Sequence, residues 1–196
     1  MAPDDRRRSI IDAVTPLLIE QGAAVTTRQM AEAACVAEGT IFRVFPDKCA
    51  LMGEVVRASV DPEPFLRAID AIDPAAPFET QLRLAAEALQ RRVERIVALM
   101  PVWRALEGPH ATHPGGPPAF LAESHAAVTD AITGVLARHR SLLRLSPERA
   151  MGVFRGLVFA SSLPSTPEPE RPTLDEVVDT MLNGLTAPDV IAAGQG

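Results

Sequence analysis

Eighteen prolines in 196 residues divide this chain, and the segments between the divisions carry apolar residues at helical spacing. Ile10, Ile11, Val14, Leu17 and Leu18 form one stripe over Arg6 to Gly22, where the glycine is a C-cap candidate. Thr26 and Thr27 are placed to N-cap a short helix that turns Met30 and Ala31 inward. "GTIFRVF" starts another. Pro46 stands where a helix can begin without losing a hydrogen bond, and that helix runs to about Val60. After "DPEP" come Phe65 to Ile72 and the breaker "DPAAP". Phe78 to Met100 is then a long amphipathic helix, in phase at Phe78, Leu82, Ala85, Leu89, Val93, Ile96 and Met100. Pro101 is expected to open a separate short piece, "PVWRALE". "GPHATHPGGPP" reads as a loop. Ala119 to Arg140 is helical again. Ser146 and Pro147 cap and start a further helix, and "TLDEVVDTMLNGL" is the last. No alternating strand pattern and no repeat occurs. The expected class is all-α, with about nine helices. Residues 1–46 form a small three-helix unit and residues 47–196 a helical bundle.

Composition narrows the function. Nearly half of the residues are apolar, so whole-chain disorder is excluded. The net charge is -6, which excludes a globally basic nucleic-acid binder but not a local basic face. Cys35 and Cys49 form neither a CxxC nor a disulfide framework. Cys49 is expected to be a buried structural thiol in the helix after Pro46. The N-terminus "MAPDDRRRSIID" lacks the apolar run of a signal peptide. The run "IVALMPVW" is far short of the roughly 20 residues that span a bilayer. A soluble, cytoplasmic protein is expected. There is no G-x-S-x-G, P-loop, HExxH or Rossmann glycine run, so neither an enzyme nor a cofactor is expected.

Residues 26–45 meet the demands of a helix-turn-helix. Ala31, Ala34 and Val36 are small enough to let two helices pack closely. Ala37, Glu38, Gly39 and Thr40 present small or polar groups at the start of the second helix, where backbone approaches base edges. Ile41, Val44 and Phe45 supply its inner face. The full string "TTRQMAEAACVAEGTIFRVFPDKCAL" resembles the TetR-family signature, over about 50 residues from Arg6. Thr26 and Thr27, Ala31-Glu32, Val36, Gly39-Thr40, the aromatic Phe42, Phe45-Pro46, Lys48 and Leu51 fall in register. The resemblance implies that Lys48, the one lysine in the chain, touches a DNA phosphate. Physics agrees, because a helix N-terminus and a flexible point charge both attract phosphate.

This sequence departs from the family pattern at Cys35 (usually Gly), Phe42 (usually Tyr) and Val44 (usually His). Cys35 must adopt a glycine-like conformation at a cost or shift it. Phe42 and Val44 remove polar contacts, leaving Thr27, Arg28, Arg43 and Lys48 to carry more of the phosphate clamp. Residues 1–58 hold seven basic and eight acidic side chains, so binding depends on placement. Arg43 suits guanine, Glu38 suits cytosine N4, and Thr40 suits a thymine methyl or a phosphate. A solvated helix face is the plain alternative for Arg43 and Glu38. Arg6 to Arg8 are either phosphate contacts or a solvated helix start.

A duplex read by one short helix per protomer calls for a twofold dimer. The last two helices offer the surface through Gly152, Gly156, Leu157, Val158, Ser161, Val177, Val178, Met181 and Leu182; the alternative is that both stripes face the chain's own core. The resemblance implies a four-helix interface there. Leu89, Val93, Met100, Trp103, Phe120, Ser124, Val128 and Phe154 are expected to surround a pocket for a small, largely apolar effector, with core packing as the alternative for each. Arg92 and His125 are further polar candidates. His110 and His113 sit in a loop without a third ligand, so no metal is expected. The sequence thus reads as a ligand-responsive transcriptional regulator, a repressor that binds a palindromic double-stranded DNA operator as a dimer. The alternative is a helical small-molecule-binding protein or enzyme with a degenerate DNA-binding unit.

Overall fold

A computed structural model describes residues 3–107, 119–163 and 171–184. Among them there are nine α-helices, two 3-10 turns and no strand. The helices are α1 (Pro3–Gln21), α2 (Thr27–Ala33), α3 (Glu38–Val44), α4 (Lys48–Ser59), α5 (Glu63–Asp70), α6 (Phe78–Glu107), α7 (Ala119–Arg138), α8 (Pro147–Ser162) and α9 (Leu174–Asn183). His110 and His113 lie outside the described residues, as does Leu185.

The backbone separates into two compact units. One comprises residues 1–61 and 95–121, the other residues 62–94 and 122–196. The packing boundary and the expected functional boundary at residue 46 therefore differ. α4 belongs to the same packed unit as the helix-turn-helix, because Leu51, Met52, Val55 and Val56 join Ile10, Val14, Leu18, Met30, Ile41 and Phe45 in one core. α1 packs on α2 and α4, and α2 on α3. Each fully buried aliphatic side chain contributes about 1.5–3 kcal/mol. The last turns of α6 add Leu99 and Val102 to this core, with Trp103 and Leu106 at its edge.

In the second unit Phe65, Ile69, Leu82, Leu89, Ile132, Leu136, Phe154 and Val178 belong to a separate core. Gln81 is fully buried there. Its Nε2 donates to the Pro74 and Ala76 carbonyls at 3.1 and 2.8 Å, satisfying backbone acceptors of the "DPAAP" connection that would otherwise cost ~1–3 kcal/mol each to bury unpaired.

Three boundaries differ from the sequence expectation. α4 starts at Lys48, not at Pro46: Asp47 is its N-cap and accepts from the Ala50 N–H at 2.7 Å. An aspartate side chain caps a helix more effectively than a proline ring, which supplies no acceptor. Pro101 does not open a new helix but lies inside the 30-residue α6. The missing N–H forfeits one rung, and the burial of Leu99 and Val102 on either side holds the helix through it. α1 starts at Pro3 and includes Pro16.

Candidate nucleic-acid interface and effector cavity

α2 is fixed at its start by a capping box. Thr26 accepts from the Gln29 N–H at 3.2 Å, and Gln29 Oε1 accepts from the Thr26 N–H at 2.8 Å. Gln29 Nε2 also donates to Gln21 Oε1 at 3.2 Å, joining α2 to the end of α1. The turn into α3 passes through Cys35 at φ 53°. This is the left-handed region that glycine enters without cost, so the expected strain at this position is present. The Val36 N–H donates to the Ala31 carbonyl at 3.0 Å and closes the turn.

α3 has no side-chain N-cap. Ala37, Glu38, Gly39, Phe42 and Arg43 are exposed, and Thr40, Thr27 and Lys48 are half-buried. Phe42 is 48% exposed, a large apolar ring left on the surface. Arg28 is exposed, but its Nε donates to Glu32 Oε1 at 2.9 Å. That hydrogen bond, with the Glu32 charge, raises the Arg28 pKa above its ordinary value. Lys48 is less free than its sequence position implies: its Nζ donates to the Ala23 carbonyl at 2.8 Å. Cys49 is exposed rather than buried, because α4 turns Leu51 and Met52 inward and leaves position 49 on the outer side.

The residue that the sequence reading left undecided is Arg7. It faces inward from α1. Its Nη1 donates to the Val44 carbonyl at the end of α3 at 3.2 Å, and its Nη2 pairs with Glu54 at 3.2 Å. Its guanidinium lies 4.7 Å from the Phe45 ring centroid. The signal was present, since position 7 is in helical phase with Ile10, Ile11 and Val14.

The family model "Bacterial regulatory proteins, tetR family" matches residues 10–55, from α1 into α4. Over these residues the chain is of the tetR family. Among similar solved structures, the TetR-like regulator LfrR from Mycobacterium smegmatis, in complex with proflavine, is 25% identical with a TM-score of 0.60. That match covers 95% of this chain and 99% of LfrR. A TetR-family regulator from Mesorhizobium loti is 17% identical at TM-score 0.65, covering 93% and 95% of the two chains. AibR, in complex with isovaleryl coenzyme A and operator DNA, is 18% identical at TM-score 0.53, covering 92% and 97%. Comparison with curated protein sequences gives no match.

The residues expected around an effector fall into both units. Met100, Trp103 and Phe120 belong to the first; Leu89, Val93, Ser124, Val128 and Phe154 belong to the second. Leu89, Val128 and Phe154 are packed in the second core, with Val93 against it. Ser124 is buried and accepts a hydrogen bond from Arg92. The exposed His125 ring accepts from Arg155 at 2.7 Å. Trp103 and Phe120, by contrast, line a cavity of about 510 Å3 in the first unit, with Arg7, Pro46, Gly53, Glu54 and Arg57 among its other walls.

The residues expected at a dimer surface also divide. Val158, Ser161, Val177 and Val178 are buried in their own chain, because they continue the inner stripes of α8 and α9. They are not available to a partner's surface. Gly152, Gly156 and Leu182 are exposed, and Leu157 and Met181 are half-buried. The outer face of α8 adds Val153 and Phe159, 47% and 45% exposed. Among the described residues no helix is long and apolar enough to cross a membrane.

Proposed function

We propose that this chain is a transcriptional repressor that binds a palindromic operator in double-stranded DNA as a homodimer and is released by a small-molecule effector. One observation carries the reading. The end of α3 is held by Arg7 through the Val44 carbonyl, and Arg7 is also a wall of the cavity in the same unit. A cavity wall bonded to the recognition helix gives an effector a physical path to DNA affinity. LfrR in complex with proflavine and AibR in complex with a coenzyme A ester and operator DNA support the same assignment.

In this reading residues 1–46 read DNA, while residues 47–196 supply the effector and dimer surfaces. Thr27, Arg28, Phe42 and Lys48 face the backbone, and Ala37, Glu38, Gly39, Thr40 and Arg43 face base edges. Phosphate contacts set the register, and base edges set the sequence. The dimer places its two α3 helices one DNA turn apart, about 34–36 Å. Effector beside Trp103 shifts the last turns of α6 against α4 and moves the population to a state with the wrong spacing. The protein acts in the cytoplasm, where its operator is, and it catalyses nothing.

Footprinting on the DNA flanking its own gene tests the reading. The expected result is a protected palindrome whose half-sites are one helical turn apart. No protected palindrome at low salt would overturn it in favour of a helical small-molecule-binding protein with a degenerate DNA-binding unit.

A further inference from the structure

The cavity in the first unit has an aromatic wall and an unbalanced charge. Trp103 and Phe120 stack with centroids 6.0 Å apart and planes 28° from parallel. Both are half-buried, so each keeps surface against which another flat ring can stack. Three charged side chains complete the wall. Arg7 and Glu54 neutralise each other at 3.2 Å. Arg57 lies 5.6 Å over the Phe120 ring, and no carboxylate among the described residues pairs with it. The residual charge of the cavity is one positive, beside its aromatic face.

We propose that this cavity is the effector site and that it takes a planar aromatic carboxylate. The ring stacks on Trp103 and Phe120, and the carboxylate accepts from the Arg57 guanidinium, a charge-assisted pairing that favours this fork geometry. A cationic ligand would need Glu54, which Arg7 already holds. An uncharged ligand gains the stacking and leaves Arg57 unused. The assignment sharpens the largely apolar effector expected from sequence to one with a single negative charge. Arg7 makes the site a sensor. A new carboxylate in the wall competes with Glu54 for Arg7, and displacement of Arg7 is felt at the Val44 carbonyl and under the Phe45 ring. This coupling rests on the regulator reading above; the binding site does not.

Trp103 is the one tryptophan in the chain, so its fluorescence reports the site directly. The probe is anthraquinone-2-carboxylate, with the uncharged 2-(hydroxymethyl)anthraquinone as control, titrated into the full-length protein. The carboxylate is expected to quench Trp103 saturably. Arg57→Gln is expected to weaken it about tenfold and to leave the control unchanged. Gly53→Leu is expected to abolish quenching by both. Gly53 lines the cavity and a Cβ there meets nothing within 4 Å, so the helix accepts the side chain, as a circular-dichroism melt verifies. Absence of saturable quenching, or quenching that survives Gly53→Leu, overturns the site. Equal loss of both compounds in Arg57→Gln overturns the assigned charge. In Arg7→Lys, DNA release is expected to be lost even at probe concentrations that saturate Trp103 quenching in that variant; release at those concentrations overturns the coupling. Footprinting without probe keeps the two readings apart. A protected operator without quenching sinks the site alone, and quenching without an operator sinks the regulator alone.

Discussion

Lys48 has a structural role of its own in the fold. Its ammonium group donates to the Ala23 carbonyl across 25 residues of sequence, tying the start of α4 to the turn after α1, and two of its three N–H groups stay available for a phosphate. Lys48→Met is therefore expected to cost twice. Losing a half-exposed charge-assisted bond lowers stability by about 1 kcal/mol, read as a fall in melting temperature. Losing the phosphate contact weakens all DNA sequences alike and makes the salt dependence shallower by about one ion. A stability loss with an unchanged salt slope would leave Lys48 as a tie only. Its position at a helix start was legible in the sequence; its carbonyl partner was not, because no local pattern reveals what the fold brings beside it. The Arg28 pairing was legible, since Glu32 is four residues on. That carboxylate shields the charge which DNA would use. Glu32→Gln frees Arg28 at almost no cost to stability, because exposed pairs are worth little. Operator affinity should rise several-fold, with a salt slope steeper by about one; unchanged affinity in a fluorescence-anisotropy titration would remove Arg28 from the clamp.

At the scale of elements, caps and turns decide more than propensity does. The α2–α3 turn forces Cys35 to φ 53°, which costs an L-residue about 1 kcal/mol. Cys35→Gly should thus raise the melting temperature slightly, because relief of strain outweighs the added freedom of the unfolded chain. Cys35→Val should lower it by more, since a branched Cβ suits this conformation least. α9 depends on a capping box in which Glu176 accepts from the Thr173 N–H at 2.8 Å and from its hydroxyl at 2.9 Å. These bonds hold the Glu176 carboxyl below its ordinary range. A depressed folded pKa means that the unfolded chain binds the proton more readily. The contribution is full above the ordinary value of 4.5 and is lost as pH falls through the folded pKa. Glu176→Gln should keep the reach, as Gln29 does in α2, and remove this component of acid sensitivity; identical acid melts of the two proteins would contradict it. The Thr26 cap was readable from sequence. The continuity of α6 through Pro101 was not. A proline's local cost is visible in a string of letters, while the burial of Leu99 and Val102 that offsets it exists only in the packed unit.

At the scale of the whole molecule, the proposed function has one α3 helix read one half-site, and a palindrome then demands a second copy. α8 is apolar on two sides. Met151, Phe154 and Val158 are spent on the chain's own core. Val153 and Phe159 remain on the outer face, flanking Gly152 and Gly156, where two helices can approach closely. Val158 and Ser161, expected from sequence at a partner's surface, are buried in their own chain, because an all-round apolar helix carries no phase. A Cβ added at Gly156 meets nothing within 4 Å, so the protomer tolerates a longer side chain there. Replacing a helix-interior glycine also gains about 0.8 kcal/mol of helix propensity. Gly156→Arg should hence leave the protomer at least as stable and drive a charge into the partner's matching face. Sedimentation velocity should then register a single copy instead of two. Operator affinity should fall about a thousandfold, toward non-specific binding, while the probe still quenches Trp103 in the first unit. A Gly156→Arg protein that remains dimeric and holds its operator would move the interface off α8. The surface around Leu142, Leu145 and Leu182, which borders a second cavity of about 620 Å3, would then be the next face to alter.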